Sequence, residues 1–211
     1  MDELRDFCTR MLGDGEAAEQ AAQTARQSGG ADRVQALAAA VAACRRITAP
    51  DRAPGLGVEP EPNRDLGLVE AVAGELARAT AQLPERQREA LALRERMGLS
   101  HDQIAMALGV ERAAVAPLLA RSRLRLRSEL RGSAPPPVDC SERDRALRTM
   151  ALRQDGEEVS GADEDWLVEH LGACVGCGQA HAAMLEASVC YCAWRLGSPE
   201  EQSSTSGSAA Q

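Results

Sequence analysis

The chain has 211 residues and a net charge of −8 at pH 7, and it is long enough for one domain or a few small ones. This charge excludes a protein that binds nucleic acid over its whole surface, although a local arginine stripe could still contact DNA. Aromatic residues make up only 2% of the chain and β-branched residues are sparse. The apolar residues are instead spaced for helices, so we predict an all-α fold.

No apolar run approaches the ~20 residues of a membrane span, and the charged start MDELRDF lacks the apolar core of a signal peptide. We therefore predict a cytoplasmic protein with no membrane partner. The seven cysteines are an odd number and are concentrated from Cys140 onward. In a reducing compartment this distribution indicates metal or redox chemistry rather than a disulfide scaffold.

Two proline-rich stretches, APDRAPGLGVEPEPN and GSAPPPV, cannot continue helices and bury little apolar surface. They predict three units with separate cores and a polar tail. The predicted boundaries are a short helical unit at 1–48, a linker at 49–66, a helix-turn-helix domain at 67–131, a linker at 132–138, a small zinc-stapled helical domain at 139–196 and a disordered tail at 197–211.

Within the first unit, a GDG turn and an SGG break predict two or three short helices. The stretch ADRVQALAAAVAACRRI has a helical apolar face, which indicates only that this helix packs on something. Cys8 and Cys44 are predicted to be small buried apolar residues.

The middle unit has helix-capping and turn residues at the spacing of a helix-turn-helix. Ser100 is placed to cap a short helix from His101 to Leu108, and Gly109 with Val110 predicts the tight turn that follows. Such a turn holds the second helix at the angle at which its N-terminal half enters the major groove. His101 is expected to be solvated, and His181 is expected at the surface.

The groove-facing half of the second helix reads AAVAPL at residues 113–118 and lacks hydrogen-bonding side chains. Base edges are distinguished by hydrogen bonds, and each good bidentate pair contributes about 1–3 kcal/mol of discrimination. If the helix starts near Arg112, Pro117 removes one backbone hydrogen bond and clashes with the Ala113 carbonyl. Together these effects destabilise the helix by roughly 3 kcal/mol. We therefore expect the helix to start late or kink, and any binding of promoter DNA to be weak or non-specific.

The candidate DNA-binding residues are arginines, which can contact phosphates but carry no sequence information directly. Arg127 could contribute a further phosphate contact. The alternative is a solvated helix face with Glu129 nearby. The four candidates are Arg112, Arg121, Arg123 and Arg125.

The third unit contains an HxxxCxxC run with a further cysteine upstream. Three cysteines and one histidine close a tetrahedral zinc site, which would be structural because no position is open. A dithiol redox pair is the alternative, but it requires a βαβ context that is missing. Cys190 or Cys192 could replace one ligand, pair as a redox switch, or simply pack. The predicted zinc ligands are Cys140, His170, Cys174 and Cys177.

Residues 83–130 resemble region 4 of the bacterial sigma-70 family, in particular the extracytoplasmic-function (ECF) sigma factors. The segments LPERQREAL, GLSHDQIAMALGV and RSRLRL fall in register with the family pattern LPxxxRExxxLRxxxGLSxxEIAxxLG and the helix GTVKSRLxRARxRL. The first unit is more weakly similar to region 2 through LRDFCTRMLGDGEAAEQAAQTAR, which lies where that family docks on the polymerase β′ clamp. The resemblance implies RNA polymerase core and promoter DNA as partners.

Cys140, a DGE turn at 155–157 and WLVEHLGACVGC together resemble a zinc-binding anti-sigma domain, in which the zinc site ties helices that clasp a sigma factor. Some members release the sigma factor when the thiols oxidise and zinc leaves. By this resemblance, oxidation is expected to eject zinc and loosen the third unit while the helix-turn-helix stays folded behind its linker.

Two functions remain. One is an ECF sigma-factor-like regulator of transcription initiation with a built-in zinc-binding regulatory domain. The other is an anti-sigma or polymerase-binding interaction module that has lost sequence-specific DNA reading. An enzyme is not expected, because no carboxylate pair, nucleophile-base set or phosphate loop is present in the sequence.

Overall fold

A computed structural model describes residues 2–48, 68–135 and 138–194. These residues form ten α-helices and no strand, which confirms the all-α prediction. All of the predicted linker at 49–66, part of the linker at 132–138 and all of the predicted tail at 197–211 lie outside the described residues.

The first three helices are α1 (Glu3–Leu12), α2 (Gly15–Ser28) and α3 (Arg33–Thr48). The Asp14 carboxylate caps α2 by accepting from the backbone N–H groups of Glu16 and Ala17. Cys8 and Cys44 are both buried in the core of this group, which confirms their predicted role as small apolar residues.

The next helices are α4 (Leu68–Ala81), α5 (Glu85–Leu91), α6 (His101–Leu108) and α7 (Arg112–Arg131), and a π-helical turn (Ala92–Arg96) extends α5. The Ser100 side chain and the Gln103 side chain form a reciprocal capping box at the start of α6. Gly109 ends α6 with φ +65°, a conformation that a side chain would strain. Because α6 and α7 meet at a bend of 95°, they have the geometry of a helix-turn-helix.

Helix α7 starts at Arg112 and runs through Pro117 to Arg131. Of the two alternatives expected from Pro117, a late start is therefore wrong, and a kink stays a prediction. Val115 and Leu119, on either side of the proline, are completely buried. Burial of such side chains is worth about 1.5–3 kcal/mol each, which offsets the lost backbone bond.

The last helices are α8 (Arg143–Gln154), α9 (Gly161–Ala173) and α10 (Val175–Ala193). Within the described ranges, no single helix combines the length and apolar character needed to cross a membrane. One bent pair, α6 with α7, meets those criteria by length and composition alone.

The three groups of helices share their cores, which corrects the expectation that a proline-rich linker keeps the cores apart. Side chains of α1–α3 pack with Leu93, Ile104 and Val115 of the helix-turn-helix unit. On another face of α7, Ala120 and Leu124 pack with α8–α10. A proline-rich linker prevents a continuous helix, but it does not prevent the flanking helices from docking. The domain boundaries themselves remain a prediction.

Candidate metal centre and DNA-facing surface

Four predicted metal ligands come together at one end of α8–α10. The ligand atoms of Cys140, His170, Cys174 and Cys177 all lie within 4.8 Å of one another. Cys140 Sγ is 3.6 Å from His170 Nε2. Bonds of about 2.3 Å to sulfur and 2.0 Å to nitrogen place neighbouring tetrahedral ligands roughly 3.5 Å apart, so the set fits a tetrahedral metal after a small contraction.

The junction between α9 and α10 positions three of the ligands. Cys174 has extended backbone angles and separates the two helices, and its N–H donates to the carbonyl of His170. His170 therefore lies in the last turn of α9, and Cys177 lies in the first turn of α10. Cys140 precedes α8, which is held against α9 and α10 by the buried Met150.

The pKa values of the two thiols in the CxxC run are shifted in opposite directions. The backbone N–H of Cys177 lowers the pKa of Cys174 because it stabilises the thiolate. Burial raises the pKa of Cys177 to about 12. A metal must therefore displace the proton of Cys177, which makes binding stronger as pH rises.

Trp166 supports the ligand His170 and was not recognised from the sequence. The two rings stack with centroids 4.8 Å apart and an angle of 19°. The Arg145 guanidinium lies 4.0 Å from the centroid of the Trp166 ring. It also donates a hydrogen bond to the Asp163 carboxylate. The four-residue spacing of Trp166 and His170 on one helix is the signal that could have revealed the pair.

Cys190 and Cys192 lie outside the ligand cluster. Cys190 packs at the edge of a third core cluster with Tyr191 and Trp194. The Cys192 thiol is 3.6 Å from the Glu95 carboxylate. In the structure, the fourth residue near His170, Cys174 and Cys177 is Cys140. Neither Cys190 nor Cys192 takes its place.

Three of the four candidate DNA-binding arginines are exposed on α7. Arg125 Nε is 2.7 Å from the Glu129 carboxylate one helical turn away. Arg121 has no ion pair within the part of the chain that the structure describes. Arg112 is 2.7 Å from the Asp102 carboxylate and 3.2 Å from the Glu157 carboxylate.

The fourth candidate, Arg123, is buried, with a side chain only 1% exposed. Its guanidinium contacts the Asp155 carboxylate at 2.5 Å and the Glu95 carboxylate at 2.8 Å. Arg123 was expected to contact a DNA phosphate. In this structure its guanidinium is buried and paired with carboxylates, so it cannot make that contact. A buried guanidinium requires carboxylate partners, and these lie 32 and 28 residues away along the chain.

His101 is also buried, which overturns its expected solvation. Its Nε2 lies 2.8 Å from the Asp155 carboxylate, and its backbone N–H donates to the Glu157 carboxylate at 2.8 Å. Arg94 of the π-helical turn donates to Asp155 as well, at 3.1 Å to the carboxylate and 2.7 Å to the backbone carbonyl. Asp155 and Glu157, in the turn after α8, thus bind groups from three parts of the helix-turn-helix unit. His181 is partly buried, and burial lowers its pKa.

Burial acts to raise the pKa of Asp155, but hydrogen bonds from His101 and Arg123 and the arginine charges outweigh it. The net result is a pKa below the usual range. Because the folded-state pKa is lowered, the ionised carboxylate stabilises the fold at pH values above its unfolded pKa. This stabilisation is lost as the pH falls through the lower, folded-state pKa.

Comparison with known proteins bears on the same helices. Residues 73–126 match the family model of sigma-70, region 4. The match covers about a quarter of the chain, from within α4 to within α7. It supports a sigma-factor-like transcription regulator with a helix-turn-helix, a class of proteins that are not enzymes. Neither the search of curated proteins nor the search of solved structures found a match.

The metal centre can be tested with one cysteine inside the cluster and one outside it. We expect about one zinc per chain in protein purified under reducing conditions, since four ligands close one site. Cys174→Ser should lose most of this metal, and Cys192→Ser should retain it, as measured by elemental analysis. Full zinc in Cys174→Ser would refute the ligand set.

The buried carboxylate can be tested by removing only its charge. Asp155→Asn should destabilise the fold at pH 7 by about 3–5 kcal/mol, because Arg123 stays buried without its full partner. The exposed Asp165→Asn is the matched control and should change the free energy of unfolding by less than about 0.5 kcal/mol. Urea denaturation at pH 7 and at a pH well below the ordinary aspartate pKa of about 3.9 should show the difference shrinking in acid. A difference that does not change with pH would contradict the stabilising charge.

Proposed function

We propose that the chain is an ECF sigma-factor-like regulator of transcription initiation that acts in the cytoplasm with RNA polymerase core. In this proposal α8–α10 form a built-in zinc-binding regulatory domain that covers the helix-turn-helix. The region 4 match, the α6–α7 geometry and the clustered cysteine and histidine ligands support it.

The observation that carries the proposal is the position of the Glu157 carboxylate. It accepts from the backbone N–H of His101, at the N-terminus of α6, and from Arg112, at the start of α7. Helix N-termini and arginines are the groups that DNA-binding proteins use to hold phosphates. A protein carboxylate therefore occupies groups of the helix-turn-helix that would suit the DNA backbone.

Apolar contacts cover part of the same surface. Ala116 is only 3% exposed, because the α7 face that carries it packs on the helices of the third group. Ala113 and Ala114, one turn earlier, remain exposed. DNA could approach the N-terminal half of α7 fully only after α8–α10 move away.

Even an uncovered α7 offers little for reading bases. Arg112 is the only side chain with a hydrogen-bond donor among residues 112–118, and the others are alanine, valine, proline and leucine. Such residues make only apolar contacts with base edges. Contacts from the arginines to phosphates would thus dominate, and affinity would vary little between DNA sequences.

The alternative is an anti-sigma or polymerase-binding interaction module that no longer reads DNA. The outer face of the helix-turn-helix favours it, since a surface cleft there is lined in part by Ala105, Met106 and Val110. Met106 is 67% exposed. Exposed apolar surface beside a turn suits a protein partner better than it suits phosphates.

Two neighbouring glutamates provide a matched test of the covering carboxylate. Glu157→Gln weakens the contacts with α6 and Arg112, and we expect it to raise affinity for duplex DNA about tenfold at low salt. Glu158, which is exposed, supplies the control Glu158→Gln, with no change expected. Fluorescence anisotropy with several duplexes at two salt concentrations measures both the affinity and its salt dependence.

The increase should be similar for unrelated duplexes. A preference of roughly a hundredfold for one promoter in the unmodified protein would contradict the view that α7 reads no sequence. If Glu157→Gln and Glu158→Gln bind DNA with equal affinity, Glu157 is not the group that covers the helix-turn-helix.

A pull-down with RNA polymerase core separates the two functions. The sigma-like reading predicts capture of core together with labelled promoter DNA, at least in the Glu157→Gln variant. The interaction-module reading predicts capture of core or of a sigma factor without promoter DNA. Failure to bind either protein under reducing and oxidising conditions would refute both.

A further inference from the structure

Helix α10 carries apolar side chains on two opposite faces, and only one of these faces is covered. Between Val175 and Ala193, Glu186 and His181 are the only acidic or basic residues. One face is buried in the core, through Cys177, Ala180, Ala183, Met184, Ala187 and Tyr191. The opposite face, the α10 stripe, consists of Val175, Gly178, Ala182, Leu185, Val189 and Ala193.

The α10 stripe contains most of the exposed large apolar side chains of the described residues. Val175 is 74% exposed, Val189 is 70% exposed and Leu185 is 43% exposed. Their spacing of three and four residues keeps the stripe on one face over roughly 27 Å, at 1.5 Å per residue. An amphipathic helix normally buries its apolar surface and exposes its polar surface, so a second, exposed apolar face is expected to have a partner.

The remainder of the chain offers no segment with a matching pattern. Residues 195–211, which follow α10 directly, contain Leu196 as their only large apolar residue. The only large apolar residues in 49–67 are Leu56, Val58 and Leu66, and the stretch contains four prolines. Neither segment repeats large apolar residues at helical spacing, so neither is complementary to the stripe.

The order of large and small residues makes the stripe complementary to itself. When two copies run antiparallel about the middle of α10, Ala182 lies opposite Leu185 and Gly178 lies opposite Val189. Each large side chain then meets a small one from the other helix, which allows close packing. A parallel arrangement would place Leu185 against Leu185 and Gly178 against Gly178, which leaves alternating crowding and gaps.

We infer that the α10 stripe binds a second copy of this chain in a twofold-symmetric, antiparallel helix pair. A self-complementary patch of this kind is what a twofold dimer requires. The residues beside the stripe agree with it, because antiparallel packing brings Glu186 near Gln179 and His181 near Ser188. No like charges face one another across the pair.

Sedimentation equilibrium of the full chain with zinc and a reducing agent tests the inference. We expect a reversible monomer-dimer equilibrium, and Leu185→Glu should lower the association constant at least about tenfold. Val168→Glu adds the same charge at an exposed apolar residue of α9, outside the stripe, and should leave the association constant unchanged. Circular dichroism and zinc content check that both variants keep the fold.

A mixing experiment tests the antiparallel register. Ala182→Arg and Leu185→Glu should each disfavour self-association when alone. When the two variants are mixed, the new arginine of one chain lies opposite the new glutamate of the other, and heterodimers should form. In a parallel pair these charges would not be opposite each other.

Three results would overturn the inference. The first is a chain that remains monomeric up to about 100 μM, a concentration at which even weak specific interfaces are populated. The second is an equal loss of association in Leu185→Glu and Val168→Glu. The third is a dimer that forms only without reducing agent, which would indicate a disulfide through the exposed Cys192.

Discussion

The pairing of Arg123 with Asp155 in the interior is the constraint on which the arrangement of the helices depends. Arg123 belongs to α7, and Asp155 follows α8. Neither charge can remain buried without the other, because an unpaired buried charge costs several kcal/mol. Asp155 also accepts from Arg94 and His101, so donors from the π-helical turn, α6 and α7 converge on one carboxylate. The acidic turn is therefore held against the helix-turn-helix.

A second buried arginine joins the two ends of the described chain. Arg10 of α1 donates to the backbone carbonyl of Trp194 at 2.9 Å, and its guanidinium lies 4.3 Å from the centroid of the Trp194 ring. Asp6, one turn before it, pairs with Arg96 of the π-helical turn at 2.6 Å. The first and last groups of helices thus contact each other as well as the helix-turn-helix between them. Three groups that the sequence separates with proline-rich stretches become one packed arrangement through charged side chains.

Much of the fold and the metal ligands could be predicted because their signals are local. The capping serine, the Gly109 turn and the HxxxCxxC run all act over fewer than ten residues, so spacing alone places them on helices. Arg123 and His101 could not be assigned in this way. Their common partner, Asp155, lies 32 and 54 residues away in sequence, and an arginine that pairs with a buried carboxylate has the same sequence signature as one that contacts a phosphate.

The shared cores change what loss of the metal would do. The acidic turn joins α8 to α9, and the ligands Cys140 and His170 lie at the far ends of those same helices. A metal at the cluster would fix both helices relative to α10, and hence would fix the turn that carries Asp155 and Glu157. Ala120 and Leu124 of α7 pack on this group directly. Loosening of α8–α10 therefore cannot leave α7 untouched, as independent cores would allow. In the proposed function, loosening would release the N-terminus of α6 and Arg112 from Glu157 and would also expose apolar residues of α7. The state of the metal centre would then be coupled to the accessibility of the helix-turn-helix through one packed interface.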